Sequence, residues 1–234
     1  SLTFYGSAGS TSLSLMDDTT PTAGEEAWDD VNGADGHAMG ATGLDTFSYT
    51  NSSLMENVSI GLDYVPSDGQ DQIGSSTSAT IKFTGIDGLT VGAGMGEDNG
   101  EGAADSKDVT AFNVTYAMDA VTVGFSSYEV DTNNSGNSTA GVTHVGDTTL
   151  TAMGISYAVS DDLSVSLNTS ETDIEGASTV DQEALGISAS LVIGSMTLKA
   201  NHNSVENVGG TSGKDRSGYA MGATGLDTFS YTNS

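Results

Sequence analysis

Apolar and polar side chains alternate along most of this chain. From Asn57 to Val65 (NVSIGLDYV), Val58, Ile60, Leu62 and Tyr64 fall on one face, and Asn57, Ser59, Gly61 and Asp63 on the other. The run Thr77–Thr84 sorts Ala79, Ile81 and Phe83 against Ser78, Thr80 and Lys82. Leu89–Gly96 sorts Leu89, Val91, Ala93 and Met95 against Thr90 and three glycines. Val109–Ala117 and Ala120–Val130 repeat the pattern with Phe112, Val114 and Tyr116, then with Val121, Val123 and Phe125. Thr149–Ala158, Leu163–Thr172, Glu183–Leu191 and Ser195–Ser204 continue it. Successive side chains of a strand point to opposite faces, so strict alternation predicts half-buried β-strands. No window offers a convincing helical period.

The connections alternate too. Asn51–Asn57, Gly85–Gly88, Met118–Asp119, Val159–Asp162 and Val192–Gly194 are short and read as hairpin turns, none of them Asn-Gly. Pro66–Ser76, Glu97–Asp108, Asp131–Thr148, Asp173–Gln182 and Val205–Gly218 are long and polar. Short links therefore close one end of the strand set and long links decorate the other. Tyr128 is out of phase with Phe125, which suggests a bulge at Ser126–Ser127.

One stretch does not alternate. Ser10–Gly43 is 34 residues long and carries seven carboxylates: Asp17, Asp18, Glu25, Glu26, Asp29, Asp30 and Asp35. It also holds the only Trp (Trp28) and Pro21, with no Lys or Arg. Structureless connections longer than about 15 residues are uncommon in compact domains and are usually functional or disordered. The expectation is an acidic segment held inside, or at the mouth of, a β-barrel.

Charge narrows the choice of partner. Thirty-two acidic residues against five basic ones leave a formal charge of −27. Such a surface repels nucleic acid and anionic headgroups and suits divalent cations or a saline setting. Twenty-one of the 32 carboxylates lie in the insert and the long links, so one end is strongly acidic. Cysteine is absent, which removes disulfides, thiolate nucleophiles and Cys-ligated metals. No apolar run approaches the roughly 18 residues of a membrane helix. No secretory leader is present either, so the chain reads as a mature form or a fragment.

Periodicity does not say which face looks outward, and a soluble up-and-down barrel or a sandwich would alternate as well. The non-apolar face, made of Ser, Thr, Gly, Asn and an occasional charge, favours one answer. Thirty-one glycines and 6% aromatics are a thin supply for a large core. Twelve strands whose apolar face is mostly Val, Ala, Ile and Leu do not fill so wide a lumen. With the polar face inward the interior is water and the apolar face meets hydrocarbon. Phe47, Tyr49, Tyr116 and Tyr157 beside short turns, with Tyr64 beside a long link, would then form two aromatic girdles. The fold expected is all-β, an antiparallel up-and-down transmembrane β-barrel with about 12 strands present.

The opening strand LTFYGSAG (Leu2 to Gly9), the acidic segment DDTTPTAGEEAWDDV (Asp17 to Val31) and two hairpins carry a family resemblance. The hairpins are TAFNVTYAMDAVTVGFSSYEV and AMGISYAVSDDLSVSLNTSETD. Together they resemble the C-terminal two-thirds of a Gram-negative general (trimeric) outer-membrane porin of alphaproteobacterial type. In that family the third extracellular loop, between strands five and six, folds into the lumen and narrows it. With Ser10–Gly43 as that loop, Leu2–Gly9 becomes strand five and Ser195–Ser204 strand fifteen. The segment from about Tyr219 then stands where a sixteenth belongs, as in 16-stranded porins. Four N-terminal strands are expected to be missing; a closed 12-stranded barrel is the alternative, since even numbers close. The resemblance also implies a homotrimer and passage of small hydrophilic solutes and ions.

Residues Ala38–Ser52 (AMGATGLDTFSYTNS) recur identically as Ala220–Ser234. Identity over 15 residues is too close for a diverged repeat, and 220–234 is read as an artefact of sequence assembly.

If apolar side chains face lipid, parity sends Lys82, Lys199 and Asp63 into the lumen. Lysines opposite the carboxylates Asp17, Asp18, Glu25, Glu26, Asp29 and Asp30 would set a transverse field across a pore constriction. The bland alternatives are a disordered surface loop and lysines merely solvated in the lumen. Glu97, Asp98, Glu101 and Asp105, with Asp108, could hold Ca²⁺ or bridge divalent ions to lipopolysaccharide, though the spacing is not an EF-hand. A plain solvated loop is the simpler reading of that stretch. No cofactor besides Ca²⁺ is suggested. Catalysis finds no support: His37, His144 and His202 are scattered, and no GxSxG, HExxH or phosphate-cradling loop occurs. The expected function is a cation-preferring outer-membrane channel for passive diffusion, not an enzyme. The alternative is an acidic calcium-binding structural or adhesive surface β-protein.

Overall fold

The computed structural model describes residues 2–5, 11–13, 16, 19–24, 26–27, 46–66, 75–99, 106–132, 147–175, 179–224 and 229–233. Thirteen strands follow in chain order: β1 (Leu2–Tyr5), β2 (Thr46–Met55), β3 (Val58–Val65), β4 (Ser76–Ile86), β5 (Leu89–Asp98), β6 (Lys107–Met118) and β7 (Val121–Thr132), then β8 (Thr148–Ala158), β9 (Leu163–Ile174), β10 (Gln182–Ile193), β11 (Met196–Glu206), β12 (Arg216–Thr224) and β13 (Phe229–Asn233). They form one sheet in sequence order, with β1 and β13 at its ends. Among the described residues no helix is long and apolar enough to cross a membrane, which says nothing about strands.

The hairpin turns are tighter than the alternation suggested. β2 runs on to Met55 and β4 to Ile86, each through a register shift, at Asn51/Met55 and at Phe83/Ile86. The connections shrink to Glu56–Asn57 and Asp87–Gly88. Two-residue hairpin turns need positive φ, and the structure places it on Asn57 (60°), Gly88 (75°), Asp119 (49°) and Gly194 (63°). These residue types enter the left-handed region at least cost. The Asp87–Gly88 pair is itself a favoured hairpin dipeptide that the sequence reading passed over. At the other end, the link after β11 folds on itself around a 3-10 turn, Val208–Gly210. There the Asn207 N–H donates to Asp215 Oδ1 (3.1 Å) and the Gly209 N–H to Gln182 Oε1 (3.0 Å).

Contacts divide the chain into two units. The first holds β1–β5, most of β6, the end of β7 and residues 11–16; the second holds the start of β7, most of β8, β9–β13 and residues 19–27. Each unit has a covered face, on which its part of the insert lies, and a bare face. In the first unit Ser48, Asp63, Ser76 and Ser78 are buried on the covered face, while Phe47, Leu62, Ile81, Met95 and Phe112 stand exposed on the bare one. In the second, Ser166, Asn168, Ser188, Asn201 and Asn203 are buried, and Met153, Ile155, Leu167, Leu185 and Ile187 are exposed. Phe112 is 43% accessible and Ile187 53%. Val58, Ile60 and Val123 are half-exposed. The alternation is therefore real, and the apolar side chains are turned away from the covered interior.

Three expectations need correction. Tyr128 does not rejoin the apolar face through a bulge: burial alternates unbroken through Ser126, Tyr128 and Val130, and Tyr128 is fully buried on the covered side. Phe47 is not beside a short turn; it pairs with Tyr64 at the long-link end of the β2–β3 hairpin. The covered face is also not polar to its end. Val65, Val109 and Val130 in the first unit, and Leu150, Ile174, Ala184 and Val205 in the second, are buried where their strands meet the long links. A single apolar residue at a strand end is invisible to a parity count.

Candidate functional site

The insert is held by contacts of two kinds. Its first arm, in the first unit, carries Leu13 and Met16 into the sheet, both buried. They lie over glycines: a Cβ on Gly94 would stand 2.7 Å from Leu13 Cδ1 and 2.9 Å from Met16 Sδ, and one on Gly96 would meet Leu13 Cδ2 at 2.6 Å. Absence of a side chain on the covered face leaves room for the Leu13 and Met16 side chains to approach so closely. The three glycines that the alternation placed opposite Val91, Ala93 and Met95 thus have a packing reason at two positions. Tyr128 donates its phenolic O–H to the Met16 carbonyl at 2.7 Å.

Asp63 fastens the same arm. Its Oδ2 accepts the Ser12 N–H (2.8 Å), the Ser12 hydroxyl and the Ser78 hydroxyl (3.1 Å), while Oδ1 accepts the Ser48 hydroxyl. Asp63 is 6% accessible. Parity placed it on the right face, but the carboxylate lies under the insert and does not stand free on the wall.

The second arm, in the second unit, rests on neutral groups. Thr19 and Thr20 meet the Ser126 hydroxyl at 3.2 and 3.4 Å. Thr22 meets Ser188 and Ser166, and the Ala23 N–H donates to Ser166 Oγ at 2.9 Å. Asn203 Nδ2 donates to the Glu26 carbonyl at 2.9 Å. Pro21 lies against Gly124 and Gly154, and Ala27 against Gly186, where an added Cβ would stand 2.9 Å from the Ala27 Cα. Every strand from β7 to β11 contributes a glycine, serine or asparagine to this bed.

Of the residues expected at a constriction, Asp17, Asp18, Glu25, Asp29 and Asp30 lie outside the described residues. Glu26 is described and is 3% accessible. Lys82 and Lys199 are exposed on the covered face. Lys82 pairs with Ser59 and Gly92, one pleat beyond Thr80, whose Cγ2 lies beside Gly94 under the first arm. Lys199 pairs with Ser190 and Gly222, one pleat beyond Asn201, whose side chain touches the Gly24 position of the second arm. Each lysine thus rises from a row of small neutral residues beside one end of an insert arm. Successive same-face positions are about 7 Å apart, so each lysine stands one such step from Thr80 or Asn201.

The expected calcium residues do not form a described cluster. Glu97 is exposed at the end of β5, Asp98 closes that strand opposite Ser76, and Glu101 and Asp105 lie outside the described residues. No group of three metal-ligating acids or histidines occurs among the described residues. Where β7 has left its apolar stretch, Asp131 is held above the usual carboxylate range. The charge of Asp147 is the main cause, with Asp108 and Glu129 adding to it. His202 stacks on Tyr219, ring centroids 4.2 Å apart, on the bare face.

No family model and no curated protein matches the chain. Solved structures do. The anion-selective porin from Comamonas acidovorans superposes with a TM-score of 0.68 at 13% identity, over 98% of this chain and 73% of that one. OmpF of Salmonella typhi, in complex with daunomycin, gives 0.66 at 16% identity over 94% and 70%. OmpT of Vibrio cholerae gives 0.66 at 11% identity over 98% and 77%. The chain has the porin fold. It is the antiparallel, up-and-down β-sheet of the outer-membrane barrels, as the alternation and the resemblance anticipated. In a porin fold the bare apolar face is the lipid side and the covered face the lumen side.

Proposed function

We propose that this protein is an outer-membrane porin forming a water-filled channel for passive diffusion of small hydrophilic solutes and ions. The observation that carries the reading is the division between the faces: large apolar side chains exposed on one side, hydroxyls, amides and an acidic insert on the other. A soluble protein seldom leaves an apolar surface of that extent in water, whereas a barrel wall in lipid must. The chain is set in the outer membrane of a Gram-negative cell, in contact with lipid and lipopolysaccharide, as a homotrimer.

Selectivity is proposed as cationic. The neighbour from Comamonas is anion-selective, and the opposite sign proposed here rests on this chain's own charges. Here the net charge is −27 and the insert carries seven carboxylates and no Lys or Arg. Asp17, Asp18, Glu25, Asp29 and Asp30 supply the negative side of the constriction, and Lys82 and Lys199 the opposing charge. Reversal potentials across planar bilayers in a KCl gradient test this. The expected sign is cation-selective, more so in Lys82→Gln and Lys199→Gln; an anion-selective or non-conducting protein overturns it.

A further inference from the structure

We infer that Asp63 is the positioning residue of the insert, a latch whose carboxylate holds the first arm against the wall and so keeps the channel in one conductance state. The inference rests on the channel reading above. Asp63 lies mid-row in Ser48–Asp63–Ser78–Gly96, one residue on each of β2 to β5. The row is built as hydroxyl, carboxylate, hydroxyl and gap, and Leu13 of the insert fills the gap. An ionised carboxylate has about four lone-pair sites. Four donors reach this carboxylate: the Ser48 hydroxyl on Oδ1, and the Ser78 hydroxyl with the N–H and hydroxyl of Ser12 on Oδ2. No cation joins them among the described residues.

A carboxylate drawn this far from water is costly unless its acceptor capacity is filled. If the first arm lifts, both Ser12 donors leave together, and the wall hydroxyls fill only half of that capacity. The docked arm is therefore favoured in one step. The row one pleat away, Gly61–Thr80–Gly94, receives Ser12 and Leu13 in the same movement. A group so engaged is not a free charge for passing ions. That distinguishes the latch from a pore-facing carboxylate on the same wall.

Two variants separate these roles. Asp63→Ala removes latch and charge together; Ser12→Pro removes both insert donors and leaves the Asp63 charge in place, away from the folding of the sheet. Loss of about 1.4 kcal/mol is a tenfold shift in an equilibrium. Single-channel records of both variants are expected to show about tenfold more frequent transient closures, with the cation-to-anion permeability ratio of the wild type. A changed ratio in Asp63→Ala with wild-type records for Ser12→Pro overturns the latch. Cleavage before Asp17 and Asp18 by an aspartate-directed protease, in detergent, reads the arm without any current. Faster cleavage of both variants is expected and unchanged cleavage overturns the latch, whereas a wild type that does not conduct overturns only the channel reading.

Discussion

The two arms of the insert solve one problem with different chemistry. Both lie on a sheet face that side chains would otherwise occupy, and both do so over glycine: the side chains of Leu13 and Met16 over Gly94 and Gly96 in the first arm, and the Pro21 ring, Pro21 carbonyl and Ala27 Cα over Gly124, Gly154 and Gly186 in the second. They differ in what ties them down. The first is gathered on one buried carboxylate and a tyrosine; the second is spread over hydroxyls and an asparagine on several strands. Hydrogen bonds to a charged group contribute roughly 1.5–3 kcal/mol and neutral ones about 1. The first arm therefore depends on few residues strongly, and the second on many weakly. Concentrated attachment can be released at one point; distributed attachment cannot.

Filling the glycine bed is expected to have the largest effect. Gly94→Phe should expel the first arm and Gly124→Phe the second, each at an overpacking cost of about 1–3 kcal/mol. Asp-directed cleavage at 17–18 should report the first and Glu-directed cleavage at 25–26 the second. If either variant loosens both arms equally, the arms are one cooperative body and the comparison fails.

Single hydrogen bonds come next. Tyr128→Phe removes the donor to the Met16 carbonyl and should weaken the first arm by about 1 kcal/mol. Ser166→Ala leaves the Ala23 N–H without its acceptor, yet Thr22 keeps its contact with Ser188, so the second arm should lose less. Protease protection in detergent ranks the two, and a larger loss for Ser166→Ala would reverse the assignment of strong and weak arms.

The smallest effect is expected outside both arms. Asp131 is held above its ordinary range by Asp147, so the folded state binds its proton more tightly than the unfolded chain does. Its contribution is fully present below the unfolded pKa and is lost as pH rises through the folded one. Asp131→Asn should therefore raise the thermal midpoint slightly at neutral pH and leave it unchanged in acid. A larger gain in acid than at neutrality would contradict the cause assigned here.

Faces were easier to read than neighbours. Parity placed Asp63, Lys82 and Lys199 on the correct side of their strands because side-chain direction in a strand follows from position alone. The count also put Tyr128 out of phase with Phe125, on the covered side where it lies, and only the bulge suggested at Ser126–Ser127 fails. The partner that holds its ring there, Met16, lies 112 residues away in sequence. Turn placement misjudged Phe47, because β2 continues past Asn51 to Met55 and moves the turn away from the ring. The apolar strand ends, such as Val65 and Val205, were missed since one residue carries no period. Asp63 was taken for an ion-facing charge because nothing local announces that Ser12, 51 residues earlier, will cover it.

Residue order alone determined that this chain is made of alternating strands, that its long links and insert concentrate acid, and that its glycines share a face with hydroxyls. Each of those is a property of consecutive positions. Tertiary structure alone decided which glycines lie under the insert, which carboxylate is spent on holding it, and which insert carbonyl the Tyr128 hydroxyl meets. Those depend on pairing register and on contacts between residues distant in sequence, and no local pattern encodes them.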